Sequence, residues 1–267
     1  MPAQAAEYRP NLSARPWSPP SWLLYGISLV AGLAVWELVA GRFSKVVLAP
    51  PSAVLRHFIV HTRSFEIPAL LVQSLGHMLV GYALAILVAV PLGFLIGRSE
   101  RAFVMCDPII NALYAIPSIA FVPFLVIWCG LFFWARTALV FLMCVFDILV
   151  TVAAGARNVP ANLLEVGRAF GASGGLLFRT VLLPASLPFL FTALRLGLVR
   201  AVVAMVTAEL FFAAVNLGAY MQAAANRFDS AGLLAVLSVL AVLGLAAQEG
   251  LKALETWLLP WHGRSER

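Results

Sequence analysis

Long apolar stretches limit the folds that this chain can adopt. A helix needs about 20 apolar residues to cross the hydrocarbon core of a bilayer. Six windows of roughly that length or more carry few charges, at residues 21–41, 69–97, 103–131, 134–157, 181–215 and 232–258. With 62% hydrophobic residues, 11% charged residues and a mean hydropathy of +0.95, the chain is too apolar for a water-soluble domain. The sequence therefore predicts an all-α integral membrane protein with about six transmembrane helices.

Prolines predict interruptions in two of the six windows. The third window contains Pro117 and Pro123, and the fifth contains Pro184 and Pro188. Proline lacks a backbone N–H and clashes with the preceding turn, so we expect bends or partial breaks there. The strand-like alternation over about ten residues that is typical of a transmembrane barrel is absent from the sequence.

The distribution of lysine and arginine predicts the orientation in the membrane, because cytoplasmic flanks usually hold the excess. With the N-terminus inside, the inner flanks carry Arg9, Arg15, Arg98, Arg101, Arg157, Arg168, Arg179, Lys252, Arg264 and Arg267. The outer flanks carry Arg42, Lys45, Arg56, Arg63, Arg136 and Arg227. We therefore expect both termini in the cytoplasm. The net charge of +6 mainly reflects this topology, and no basic patch points to nucleic acid.

Outside the apolar windows, the sequence predicts two tails and one long outer connection. Residues 1–20, which contain five prolines, are predicted to be a disordered cytoplasmic tail, and residues 261–267 a second cytoplasmic tail. Residues 42–68 are predicted to form an extracytoplasmic connection, in which Ser52 caps an amphipathic helix on the membrane surface. Residues 69–260 then form the core domain.

The segment at residues 158–180 is predicted to be a cytoplasmic loop that contains a short helix. Asn162 and Glu165 have the spacing of a helix N-cap and its reciprocating acidic residue. Gly171 is predicted to end the helix, and Ser173-Gly174-Gly175 separates it from the next one.

This short helix carries an apolar stripe on a side that would otherwise face water. Leu163, Val166 and Phe170 fall on one side of its two turns. Either the stripe folds back onto the chain's own helix ends or the lipid interface, or it docks a soluble partner. The residues alone favour neither interpretation.

Ionisable side chains inside or near the windows also have two interpretations, because an unpaired charge is expensive in a membrane. These residues are Glu37, His77, Asp147, Arg195 and Glu209. Arg195 and Glu209 are candidates for a substrate pathway, and the alternative is pairing between helices or placement at the membrane interface. His77 has no acid at helical spacing on its own span and is interpreted as a packing or interfacial histidine. Arg200 either attracts an anion or extends its side chain from the inner half towards the interface.

The sequence lacks the motifs of several kinds of chemistry. It has no G-x-x-x-x-G-K-[ST] phosphate loop, so the chain is not expected to hydrolyse ATP in the usual P-loop manner. Neither G-x-S-x-G nor H-E-x-x-H occurs, which disfavours an intramembrane enzyme. Cys106, Cys129 and Cys144 lack metal-like spacing, and we predict no metal site and no cofactor.

Motifs across residues 37–261 resemble those of ABC importer permeases. The cytoplasmic loop of that family has Glu-Ala-Ala, three residues and Gly, followed by an apolar-Leu-Pro element. The matching residues are Glu165, Gly171, Leu183 and Pro184. Val166 and Gly167 occupy the positions of the two alanines. Further matches, in the expected order, are Pro50-Pro51-Ser52, Pro91-Leu92-Gly93, Gly97-Arg98-Ser99, Asp107-Pro108, Ile116-Pro117-Ser118, Pro123 to Trp128 with Gly130, and Leu194-Arg195-Leu196. Together they are most similar to the nitrate, sulfonate and taurine class.

The resemblance implies a type I ABC importer (MetI-like) permease fold in the bacterial inner membrane. It also implies a permease homodimer in contact with membrane lipid, a cytoplasmic ATPase dimer and an extracytoplasmic solute-binding protein. Residues implied to couple to the ATPase are Asn162, Leu163, Glu165, Val166, Phe170 and Gly171. In this interpretation Glu165 fixes the helix end, Phe170 fills the contact and Gly171 permits the turn.

The resemblance makes the chain a transport subunit and leaves ATP hydrolysis to the partner ATPase. The implied solute is a small anion such as a sulfonate, nitrate or taurine. A self-sufficient ion-coupled transporter or channel is the alternative. In that case His77, Asp147, Arg195 or Glu209 would bind or relay the driving ion.

Overall fold

The computed structural model describes residues 20–44, 46–212 and 215–260, and these residues form helices and turns without β-strands. The helices within them are α1 (Ser21–Ala40), α2 (Pro51–Arg63), α3 (Glu66–Arg98), α4 (Glu100–Ala115), α5 (Val122–Cys129), α6 (Phe133–Arg157), α7 (Ala161–Ala169), α8 (Gly174–Leu177), α9 (Leu183–Phe212), α10 (Asn216–Asn226) and α11 (Ser230–Leu258). Apart from Pro20, the predicted tails at 1–20 and 261–267 lie outside the described residues.

Within the described residues, five helical segments are long and apolar enough to cross a membrane. They are Trp22–Ala40, Glu66–Arg98, Phe133–Arg157, Gly174–Phe212 and Ser230–Leu258. A sixth candidate is the pair Glu100–Ala115 and Ser118–Cys129, whose two parts are bent by 81° relative to each other. The break expected from the prolines of the third window is therefore confirmed, and it lies at Ile116-Pro117.

The fifth window is a continuous helical segment, Gly174–Phe212, even though it contains Pro184 and Pro188. A π turn at Phe178–Leu182 directly precedes α9. The wider turn changes the backbone hydrogen-bond register just before Pro184, which has no N–H to donate. The expected interruption therefore takes the form of a distorted turn.

The centre of the fold is the packing of α3 against α6, in which glycines allow a close approach. A Cβ atom added to Gly97 would lie 2.5 Å from the Ala153 carbonyl oxygen, and one added to Gly93 would lie 2.8 Å from Val152 Cβ. No real side chain tolerates these distances without movement of the helices. These glycines therefore set the separation of α3 and α6.

The same contacts give the relative direction of the two helices. Gly81 faces Val140 and Gly97 faces Ala156, so α3 and α6 run parallel. The chain must therefore return from the end of α3 to the start of α6 through residues 99–132. This return makes the bent α4–α5 pair the sixth crossing.

The other long helices run antiparallel to their neighbours. Gly155 of α6 faces Phe189 and Gly197 of α9 faces Ile148, so α9 runs opposite to α6. The helix α11 follows α9 through the short α10, so it runs back and ends at the same end of the bundle as α7. The helix α1 ends next to α2, which leads into the start of α3, so the start of α1 also lies at the α7 end. We name this the loop end; α2 and α10 lie at the opposite end.

The expected role of Ser52 as a helix cap is wrong. Pro50 is the N-cap residue of α2, and Ser52 lies in the first turn. The N–H and hydroxyl of Ser52 instead donate to the two carboxylate oxygens of Glu37, at 3.1 and 2.7 Å. A carboxylate stabilises the positive end of a helix dipole, so Glu37 links α1 to the start of α2.

Candidate functional site

The short helix α7 is at the loop end of the bundle, soon after the end of α6. Pro160, in extended backbone, is its N-cap residue, and the helix begins at Ala161. Asn162 lies inside the first turn, where its Oδ1 accepts a bond from the Leu163 N–H at 2.9 Å. The expected N-cap of Asn162 with Glu165 is therefore wrong, because Pro160 starts the helix earlier than the Asn–Glu spacing indicates.

The end of α7 lies where the sequence predicts it. Gly171 has a φ of +83°, in the left-handed region that glycine adopts without strain. The N–H groups of Gly171 and Ala172 donate to the carbonyls of Arg168 and Gly167, at 2.8 and 3.0 Å. These two bonds form a Schellman motif, which satisfies carbonyls at the helix end and turns the chain away.

One face of α7 is packed against the bundle. Leu164 is buried and belongs, with Val159, to the main core cluster. Gly167 lies so close to the following helical segment that an added Cβ atom would be 2.8 Å from Leu177 Cδ1 and 2.9 Å from Val181 Cγ2. The glycine at the second alanine position of the importer pattern therefore lets α7 lie tightly against its own subunit.

The neighbouring face of α7 is apolar and uncovered. Leu163, Val166 and Phe170 all lie on it, and Phe170 is 89% exposed. We name these three residues the exposed α7 face. Within the described residues, the chain's own helix ends do not cover Phe170, so that part of the first interpretation does not apply. A soluble partner or the lipid interface remains.

Glu209, a candidate pathway residue, is fully buried in a hydrogen-bonded network. Its two carboxylate oxygens accept bonds from Asn216 Nδ2 and from the Gly218 N–H, each at 3.0 Å. Gly218 lies in the first turn of α10, so the carboxylate is at the N-terminus of that helix. His77 Nε2 is 3.9 Å from Glu209 Oε1, so its neighbouring acid comes from another span.

Arg195, the other candidate pathway residue, is bound to Glu255 of α11 through its guanidinium. This ion pair lies towards the loop end and joins α9 to α11. The structure does not bring Arg195 and Glu209 together, since they occupy different parts of α9. Each makes the helix-to-helix contact that was the alternative interpretation.

A third cluster, which no sequence pattern predicted, is formed by Tyr114, Asp147 and Arg200 from α4, α6 and α9. Arg200 Nε is 2.8 Å from Asp147 Oδ2, and the Tyr114 hydroxyl donates to Asp147 Oδ1 at 2.5 Å. No local pattern connects residues from three separate helices. The nearest sequence signal is the proline break that follows Tyr114.

Among the side chains that the structure describes, no group of three or more His, Cys, Asp and Glu is placed to hold a metal ion.

Comparison with known proteins agrees with this geometry. Residues 89–258 match the family described as binding-protein-dependent transport system inner membrane component. The chain is 31% identical to the taurine transport system permease protein TauC of Escherichia coli (strain K12), with 88% of each chain covered. It is 28% identical to the putative aliphatic sulfonates transport permease protein SsuC of Bacillus subtilis (strain 168), covering 99% of this chain and 95% of the relative. It is 24% identical to the nitrate import permease protein NrtB of Synechocystis sp., covering 97% and 98%.

A solved structure shares the fold. The inward-facing MetNI methionine ABC transporter contains a chain that superposes with a TM-score of 0.64 at 20% identity, covering 73% of this chain and 96% of that one. The helices, their broken span and the family match agree with the importer resemblance. The chain therefore belongs to the inner membrane components of binding-protein-dependent transport systems, as an ABC importer permease with the type I (MetI-like) fold.

Proposed function

We propose that this permease moves a small anion such as a sulfonate, nitrate or taurine into the cell, using ATP hydrolysed by a partner. The family match and the names of the taurine, sulfonate and nitrate relatives support this solute class. In this proposal a solute-binding protein delivers the solute outside. A cytoplasmic ATPase dimer supplies the energy, and two copies of this chain in contact with membrane lipid form the route.

The observation that carries the coupling role is the exposed α7 face. Its three apolar side chains lie at the loop end on a helix whose other face is anchored by Leu164. An aromatic side chain such as Phe170 contributes a large contact area when a partner buries it. Glu165 is exposed beside it, and Gly171 turns the chain at the end of the contact.

A rigid link between α7 and the bundle is needed for a motion of the ATPase to reach the membrane. Gly167 gives that link, because it brings α7 against Leu177 and Val181 in the segment that continues as α9. Movement of α7 is therefore passed directly to a long spanning helix. Closure of the ATPase dimer then favours one of two orientations of the paired permeases.

The proposed orientation puts the loop end in the cytoplasm. Arg98, Arg157 and Arg168 lie at this end, in agreement with the excess of positive charge on inner flanks. The start of α1 and the end of α11 lie there too, which supports the proposal that both termini are cytoplasmic. The pathway role of Arg195 and Glu209 stays a prediction.

Reconstitution into proteoliposomes tests the proposed function. With a partner ATPase and a solute-binding protein added, we expect uptake of radiolabelled taurine or nitrate only when ATP is present on the loop side. Omission of the ATPase should reduce uptake to the level of empty liposomes. Uptake by the permease alone, driven by an ion gradient, would instead favour the self-sufficient transporter.

A further inference from the structure

The Tyr114–Asp147–Arg200 cluster lies near the middle of the spans. At about 1.5 Å per residue, Asp147 is about 21 Å from the start of α6 and about 15 Å from its end. Arg200 is about 18 Å from the end of α9 at Phe212. Long basic side chains reach the interface when they lie near a helix end, and Arg200 lies too deep for this.

The two charges of the cluster are not equally exposed. The Asp147 side chain is 11% exposed, whereas the Arg200 side chain is 53% exposed. The carboxylate therefore lies beneath the guanidinium, and the cluster presents mainly N–H donors at its surface. A guanidinium has five N–H donors, more than Asp147 engages through Nε.

Such a surface is not suited to contact with lipid tails. Charged residues within spans almost always face the bundle interior or a water-filled cavity, because exposure to hydrocarbon is expensive. The exposed side of Arg200 therefore faces a polar space that the single chain leaves open.

The break in the α4–α5 span points independently to the same place. Ile116, Pro117 and Ser118 line one recess together with Tyr114, Asp147 and Arg200. Non-helical backbone at membrane depth is tolerated only where protein buries it or where it lines a water-filled cavity. Discontinuous spans are also where transporters commonly build their solute sites.

We propose that this recess, defined by Tyr114, Ser118, Asp147 and Arg200, lines the translocation route and is a transient binding point for a small oxyanion. The inference rests on the proposed transport function and adds a place and a chemical class for the solute. Arg200 donates hydrogen bonds to sulfonate or nitrate oxygens. Asp147 orients the guanidinium and partly neutralises it, so the anion is held weakly enough to leave.

Thiol chemistry tests the recess without any knowledge of the natural solute. Val203 is exposed one turn from Arg200, and Leu87 is exposed on α3. Leu87 lies midway between Gly81 and Gly93, which face Val140 and Val152, so it is level with Asp147. Val203→Cys and Leu87→Cys, each in a background with the three native cysteines replaced, therefore compare two surfaces at similar depth, within about one helical turn.

The probes are two methanethiosulfonates of similar size, one with a sulfonate group and one with a quaternary ammonium. In vesicles containing the permease and its ATPase, we expect Val203→Cys to react about tenfold faster with the anionic reagent than with the cationic one, since a lined cleft concentrates counter-ions. Leu87→Cys should react slowly with both. Adding Arg200→Gln should remove the preference, and Arg200→Lys should retain it.

Two results would overturn the inference. One is a Val203→Cys reactivity as low as that of Leu87→Cys. This comparison involves no substitution of Arg200, so it does not depend on whether an Arg200 variant folds. The other is an anionic preference that Arg200→Gln leaves unchanged. Neither result alters the proposed function, which instead fails if wild-type uptake proceeds without the ATPase.

Discussion

Phe170→Ala is expected to reduce ATP-driven uptake strongly while leaving the membrane fold intact. Phe170 is 89% exposed in the isolated chain, so removal of its ring removes almost no contact within the subunit. Buried aromatic residues at the centre of an interface commonly contribute about 2 kcal/mol or more, which corresponds to roughly 30-fold weaker association. The loss should therefore be in binding of the ATPase and not in stability.

Pull-down of the ATPase with the purified permease measures this effect, together with the thermal unfolding midpoint in detergent. The matched control is Leu176→Ala, because Leu176 is also an exposed apolar residue at the loop end but lies on α8, outside the exposed α7 face. We expect Leu176→Ala to retain ATPase binding and uptake. Equal loss in both variants would mean that Phe170 has no special part in the contact.

Glu209→Ala is expected to destabilise the folded permease strongly. The substitution removes the acceptor for the Asn216 side chain and for the Gly218 N–H, and both donors are then left without this partner inside the bundle. An unsatisfied buried polar group costs about 1–3 kcal/mol. The Gly218 N–H is buried, so its loss lowers the free energy of unfolding by about that amount, and the lost bond to the half-buried Asn216 side chain adds a smaller effect. The link from α9 to α10 is lost with them.

Glu209→Gln separates this structural role from a role in the pathway. Glutamine keeps the size of the side chain and one acceptor oxygen, so we expect a smaller fall in the unfolding midpoint than with alanine. If Glu209 only ties α9 to α10, the uptake rate per folded molecule should stay close to that of the wild type. A stable Glu209→Gln variant without uptake would instead identify Glu209 as a pathway residue.

Features set by local sequence were predictable. The six crossings follow from length and hydropathy, and the break in the third crossing follows from Pro117. The end of α7 follows from Gly171, since the left-handed conformation there favours glycine. The apolar stripe of α7 follows from helical spacing, and the structure confirms that Phe170 is uncovered.

Features that depend on distant residues were not predictable from spacing. Asn162 and Glu165 fit a capping pattern, but Pro160 already fixes an extended residue before the helix. Ser52 fits a cap too, yet its donors are taken by Glu37 from another helix.

The helix α10 was missed because it is short and lies between two apolar windows, in a stretch of the core domain to which no element was assigned. Its alanine-rich sequence was the available signal, since alanine has the highest helix propensity. The polar network was missed for a different reason. Glu209 meets Asn216 and His77 only after α9, α10 and α3 have packed, and no single helix shows that pattern.

The most direct test of the coupling account is the location of the exposed α7 face in the assembled membrane. Leu163→Cys, in the cysteine-replaced background, adds a thiol to this face and keeps Phe170 in place. A membrane-impermeant maleimide should label it in inside-out vesicles stripped of the ATPase and fail to label it in right-side-out vesicles. Addition of the ATPase should protect the thiol. Labelling from the extracytoplasmic side, or full labelling with the ATPase bound, would contradict the account.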